Sequence, residues 1–136
     1  MARNDDRNKT MNILDKIVLR KKEEVAFAKQ KVSVKELENN PTFERIPYRF
    51  KDFLLAEDRT GIIAEFKKQS PSKGVINGNA DVKKITQAYN EAGASALSVL
   101  TDTDFFGGKK EDLLQARSVN EIPILRKDFM IDEYQI

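Results

Sequence analysis

The sequence contains neither cysteine nor histidine. Without thiols there is no disulfide, no thiolate nucleophile and no cysteine-ligated metal. Without imidazole the commonest general base and the commonest metal ligand are missing. Any acid–base chemistry falls to Lys, Asp, Glu or Tyr. Long apolar runs are missing too: none approaches the roughly 20 residues that span a bilayer. The polar start MARNDDRNKT lacks the apolar centre of a signal peptide. A cytoplasmic protein, with no membrane partner, is therefore expected. Net charge is also small. Lys+Arg number 24 against 22 Asp+Glu, a formal +2, which gives no general reason to expect nucleic acid.

What is present reads as soluble and globular: 40% hydrophobic and 34% charged residues. The 136 residues suit one small domain. Residues 1–10 read as a tail or variable extension ahead of Met11. Residues 11–60 form a helical extension without a clear strand. A helix is expected over 12–31, with Ile13, Ile17, Val18, Val25 and Ala28 at helical spacing. Ser33-x-x-Glu36 is a capping box for a short helix ending near Asn39-Asn40-Pro41. Another short helical stretch follows Pro47, around Phe50, Phe53 and Leu54.

The texture changes at Thr60-Gly61. Gly61 to Phe66 is a short apolar strand, followed by a Ser/Pro/Gly loop from Ser70 to Gly78. Asp81 caps a helix through about Glu91, with Val82, Ile85, Ala88 and Tyr89 on one face and Gly93 as its stop. Ala96 to Thr101 is a second strand, 110–118 a second helix, and Pro123 to Arg126 a third strand. Asp132 to Ile136 begins the next helix. Apolar strands alternating with amphipathic helices imply a parallel sheet with right-handed crossovers. Both a (β/α)₈ barrel and a doubly wound sheet begin this way. No Gly-x-Gly-x-x-Gly follows the first strand, which weakens a dinucleotide-binding reading. A barrel takes about 250 residues, so residues 61–136 would supply only its first three β/α units.

Side chains alternate across a strand, so Ile63, Glu65 and Lys67 share one face, while Ala64 and Phe66 share the other. Lys127 shares the face of Leu125, and Asp102 ends the second strand. Each of the three strands thus delivers charge at its C-terminal end, where the active-site mouth of a parallel barrel lies. From position alone these charges read equally as structural, whether ion pairs along a sheet margin or exposed loop residues, and as a functional group. A lysine near another cation exchanges protons near neutrality, whereas one beside a carboxylate stays charged and binds anions. The loop Ser70-Pro71-Ser72-Lys73-Gly74 is an ordinary βα loop or a grip for a carboxylate or phosphate. Of Phe105, Phe106 and Phe129, some belong to the core and others could meet an aromatic substrate.

Ile63-Ala-Glu-Phe-Lys-Lys-Gln-Ser-Pro-Ser-Lys-Gly74 resembles the first-strand signature of indole-3-glycerol-phosphate synthases. Ser98-Val-Leu-Thr-Asp102 with Phe105-Phe-Gly-Gly108, and Pro123-Ile-Leu-Arg-Lys-Asp-Phe129, resemble that family's second- and third-strand segments. Ile13-Leu-Asp-Lys-Ile17, with Lys21, Lys22, Glu23 and Val25, looks like its leading helix. The resemblance runs over about residues 12–136. It implies a (β/α)₈ TIM barrel with N-terminal helices, truncated here after about three strands. It also implies a lyase of tryptophan biosynthesis that needs no cofactor and no metal. Its small-molecule phosphorylated substrate, 1-(2-carboxyphenylamino)-1-deoxyribulose 5-phosphate, is ring-closed with loss of CO₂ and water. Within that resemblance Lys127 corresponds to the general acid, Lys67 to the lysine that binds the substrate carboxylate, and Glu65 to the glutamate that positions both. Ser70 belongs to the substrate-holding loop, and Phe106 and Phe129 line the pocket for the anthranilate ring.

A cationic lysine suits this chemistry, since attack of an aromatic carbon on a ketone builds negative charge on its oxygen. A missing cysteine counts against phosphoribosylanthranilate isomerase, a neighbouring barrel with a Cys–Asp pair. The family's second catalytic glutamate, its substrate-orienting asparagine and its phosphate loops belong to later strands. The expectation is that this chain alone does not turn over. An open sheet edge would invite self-association or a complementary C-terminal piece. The alternative is a non-catalytic α/β fragment acting as an interaction or scaffold element.

Overall fold

The computed structural model describes residues 11–136; the expected terminal extension, residues 1–10, lies outside the described residues. The chain forms two compact units, Met1–Phe43 with Phe129–Ile136, and Glu44–Asp128.

The first unit is built on α1 (Ile13–Lys31). Asn12 caps it: its side chain accepts from Asp15 N while the Asp15 carboxylate accepts from Asn12 N. The buried stripe is Ile17, Lys21 and Val25, at i, i+4 and i+8. Ile13, expected on that stripe, is half exposed, and Lys21 takes a place that a hydrophobic count passes over. Lys21 is tolerated there because its ammonium lies 2.7 Å from the Glu24 carboxylate. The capping box at Ser33 opens α2 (Val34–Glu38) as expected. At the other end of the chain, Asp132 caps a 3₁₀ turn, Glu133–Gln135, where a helix start was expected. That turn is tied to α1 by Lys29 Nζ on Asp132 at 2.7 Å and by the Tyr134 hydroxyl, which lies 2.7 Å from Val32 O and 3.0 Å from Ala28 O.

The second unit opens with α3 (Phe50–Leu54) and then carries β1 (Ile63–Phe66), β2 (Gln69–Ser70), β3 (Gly74–Val75), α4 (Val82–Glu91), β4 (Ala96–Leu100), α5 (Lys110–Ser118) and β5 (Ile124–Lys127). Strands β1, β4 and β5 form a parallel sheet in the order β1–β4–β5. This is the expected succession of parallel β/α units, and the sheet is open, with β1 and β5 at its edges. The central strand β4 is buried at every position. Phe66, Val82, Val99 and Ala116 form the core, with Ala80, Ile85, Leu113 and Ile124 packed against it. The helices α4 and α5 thus cover the face that carries Phe66, Val99 and Ile124. Burying each such large side chain contributes about 1.5–3 kcal/mol.

On α4 the buried positions are Val82 and Thr86; Ala88, expected on that face, is exposed. Thr86 succeeds because its hydroxyl donates to Val82 O at 2.7 Å and accepts from the Asn120 amide at 3.0 Å. The expected Ser70–Gly78 loop contains a small antiparallel ladder, Gln69 with Val75 and Ser70 with Gly74. Gly74 makes its turn at φ +64°, a left-handed conformation open to glycine. No helix among the described residues is long and apolar enough to cross a membrane.

Candidate active site

Parallel register fixes which side chains meet. Glu65 on β1 stands opposite Ser98 on β4, and Ser98 opposite Leu125 on β5. These residues lie on the face away from the Phe66–Val99 core, and Lys127, two residues after Leu125, shares it. Lys67 follows the last residue of β1.

The three charged side chains converge. Lys127 Nζ donates to Glu65 Oε2 at 2.6 Å, and Lys67 Nζ lies 3.7 Å from Glu65 Oε1. The Ser98 hydroxyl donates to Glu65 Oε2 at 3.3 Å. The Glu65 side chain is 28% exposed, that of Lys67 35% and that of Lys127 51%. Burial alone would raise the Glu65 pKa. The hydrogen bond and charge of Lys127, then the charge of Lys67 and the Ser98 hydroxyl, outweigh it and hold the carboxyl below its ordinary value. One carboxylate therefore holds two ammonium groups at the C-terminal end of a parallel sheet. Such a pair can bind an anion and deliver a proton to an oxygen that becomes negative.

Asp102 does not join this cluster, contrary to the expectation of a shared charged margin. It is fully buried, and its Oδ2 accepts from Phe105 N at 2.8 Å and Phe106 N at 3.1 Å. Its work is to shape the loop that presents the two half-buried phenylalanines. Ser70 is buried, and its hydroxyl accepts from Lys73 N at 3.2 Å, closing the turn of the Ser/Pro loop. Phe129 belongs to the first unit, where its carbonyl accepts from Gln135 Nε2 at 3.0 Å.

Two participants escaped the sequence reading. One is Ser98, and a polar residue inside an apolar strand, on the parity of Glu65, is a usable signal for it. The other is Lys68, next to Lys67. Its ammonium reaches both carboxylate oxygens of Asp112 at 3.0 Å, and its carbonyl accepts from Ile76 N at 2.8 Å and Asn77 N at 3.1 Å. Nothing local in the sequence reveals an ion pair between residues 44 positions apart. Among the described residues no three His, Cys, Asp or Glu side chains gather as a metal site.

The family model described as "Indole-3-glycerol phosphate synthase" matches residues 14–136. Curated relatives carry the same name. The indole-3-glycerol phosphate synthase of Bacteroides thetaiotaomicron is 46% identical over 126 residues, covering 92% of this chain and 48% of its own. That of Carboxydothermus hydrogenoformans is 42% identical over 129 residues, covering 90% and 49%. Indole-3-glycerol phosphate synthase 2 of Ralstonia nicotianae is 48% identical over 132 residues, covering 93% and 48%. The chain spans about half the length of the curated relatives it matches.

Proposed function

The chain belongs to the indole-3-glycerol phosphate synthase family, and we propose that it carries the acid and the anion-binding cation of a carboxy-lyase acting in the cytoplasm. The substrate is 1-(2-carboxyphenylamino)-1-deoxyribulose 5-phosphate. The ring carbon that bears the carboxylate attacks the ketone carbon. Lys127 donates a proton from Nζ to the ketone oxygen as that bond forms. CO₂ then leaves the ring carbon, and the new hydroxyl departs as water. Lys67 pairs with the substrate carboxylate, and Glu65 keeps both ammonium groups aimed. Ser70 shapes the loop beside the cluster, and Phe106 offers an apolar wall to the aromatic ring.

The observation that carries this reading is the convergence of Lys127 and Lys67 on Glu65 at the strand ends. No phosphate grip and no base for the dehydration is assigned among the described residues. We infer that the chain alone is inactive and that its edge strands β1 and β5 take a complementary C-terminal piece or a second copy.

The test is formation of indole-3-glycerol phosphate by the chain alone and by a full-length family enzyme bearing these motifs. The chain alone should give no more product than its Lys127→Ala variant. In the full-length enzyme, Lys127→Ala should lower kcat about 10²–10⁴-fold. Unchanged turnover there would overturn the general-acid role, and turnover by the chain alone would overturn its inactivity. A compact monomer in light scattering would argue against the edge pairing.

A further inference from the structure

Lys127 is half exposed, so packing does little to aim its long side chain. By contrast, its carbonyl and the side chains of the residues before and after it are all bonded to one residue just past the end of β4, Thr101. Thr101 N donates to Lys127 O at 3.0 Å. The Thr101 hydroxyl donates to Asp128 Oδ2 at 2.7 Å and accepts from Arg126 Nε at 3.3 Å. Arg126 Nη2 also lies 3.7 Å from Asp128 Oδ2. The residues before and after Lys127 are therefore both bound to Thr101. Thr101 and the Asp128 side chain are each only 5% exposed.

Alternation gives this arrangement a direction. Arg126, opposite Val99 in the register, turns to the helix-covered face, and the hydrogen bonds of the Thr101 hydroxyl hold Thr101 and Asp128 on that side with it. Lys127, between Arg126 and Asp128, is left pointing the other way, toward Glu65. We propose that Thr101 and Asp128 are a positioning pair for Lys127, setting the ammonium on Glu65 through the backbone rather than by contact with it. The catalytic meaning rests on the function proposed above. A buried hydrogen bond from Thr101 to the charged Asp128 carboxylate is of the stronger, charge-assisted kind.

Glu65 reports the geometry without substrate, because Lys127 is the largest influence lowering its pKa. The experiment follows the Glu65 side-chain carboxyl by ¹³C NMR through an acid titration of the whole chain. The variants are Thr101→Val, Thr101→Ser, Asp128→Asn and Lys127→Ala, with amide spectra confirming the fold. Lys127→Ala should move the Glu65 titration up toward the ordinary carboxyl range. Thr101→Val should move it at least halfway as far, and Asp128→Asn in the same direction. Thr101→Ser, which keeps the hydroxyl, should restore it.

A folded Thr101→Val chain with an unmoved Glu65 titration would overturn the proposal. If Thr101→Val does not fold, Asp128→Asn decides in its place. An unmoved titration in Lys127→Ala would also overturn it, because there would be no pair to position. In a full-length enzyme Thr101→Val should lower kcat about 10-fold with KM little changed, as a misplaced acid does. The two readings fail separately. Loss of turnover in Lys127→Ala with an unmoved Glu65 in Thr101→Val leaves the acid and removes only the positioning pair.

Discussion

Lys68 grips both oxygens of Asp112, each at 3.0 Å, and so joins the residue after Lys67 to the first turn of α5. Asp112 is 2% exposed at its side chain and Lys68 16%. The carboxylate also sits at the helix N-terminus, where its charge is favoured. The Lys68 carbonyl meanwhile closes the Ser/Pro loop through Ile76 and Asn77.

Breaking a buried pair by removing one partner strands the other charge. Asp112→Asn should therefore destabilise by about 3 kcal/mol. The double replacement Lys68→Met with Asp112→Leu should recover most of that loss, since no charge is left unpaired. Urea unfolding with an unchanged slope would measure both. A loss under about 1 kcal/mol for Asp112→Asn would class the contact with surface pairs instead.

The Glu65–Lys127 pair has a different, pH-dependent signature. The folded-state pKa of Glu65 lies below its ordinary 4.5. A depressed carboxyl contributes stability that is present above the ordinary value and lost as pH falls through the folded one. The stability gap between the native chain and Lys127→Ala should thus be constant above pH 4.5 and close below it. Because both side chains are substantially exposed, the gap should be no more than about 1 kcal/mol. Denaturation midpoints across that pH range provide the check. A gap that widens toward acid would contradict the direction.

The alternation of strand side chains was enough to place Glu65, Lys67 and Lys127 on one face, and the periodic helices with their Ser and Asp caps were equally plain. Local rules decide these features, so a sequence discloses them. Asp102 misled because its strand ends one residue early, at Leu100 before Thr101, and the chain then turns. The alternation that would have put it beside Lys127 no longer applied, and backbone amides of Phe105 and Phe106 claimed the carboxylate. Thr86 displaced Ala88 from the buried face because the Val82 carbonyl one turn back and the distant Asn120 amide satisfied its hydroxyl. The two-residue ladder at Gln69 and Gly74 is too short to show a period of two. The positioning of Lys127 by Thr101 depends on parallel register, which no local pattern contains.

Gly108 makes the strand-end geometry testable from another side. A Cβ added there would lie 2.1 Å from Leu100 O and 2.6 Å from Leu100 C, both backbone atoms at the end of β4. The loop could accept it only by pulling away from the strand end that leads into Thr101. Gly108→Ala should cost about 3 kcal/mol or more, the upper range of overpacking. Gly74→Ala is the contrast. Nothing lies within 4 Å of its added Cβ, and only its φ of +64° opposes the change, worth about 1–2 kcal/mol. Thermal melts of the two variants should rank in that order. Equal losses would mean that the loop moves freely from the strand end.

The last prediction concerns the first unit alone. The Tyr134 hydroxyl lies 2.7 Å from Val32 O and 3.0 Å from Ala28 O, so its one proton binds the C-terminal turn of α1. Ala28 O already accepts from Val32 N at 3.0 Å, so the hydroxyl is its second donor, while Val32 O lies past the last helical residue, where a side-chain donor can satisfy it. Tyr134→Phe removes that donor while keeping the ring and should cost about 1 kcal/mol of local stability. The ties that remain include Lys29 on Asp132 at 2.7 Å, an ion pair between accessible side chains, and Lys29 over the ring at 5.8 Å. Salt screens such pairs, whereas it leaves a neutral hydroxyl bond almost untouched. In the native chain the amide protons of Gln135 and Ile136, which close the 3₁₀ turn onto Asp132 and Glu133, should exchange at rates nearly independent of salt. In Tyr134→Phe they should exchange faster, and faster still as salt is raised. Equal salt dependence in both chains would assign the docking of the turn to Lys29 and Asp132 instead.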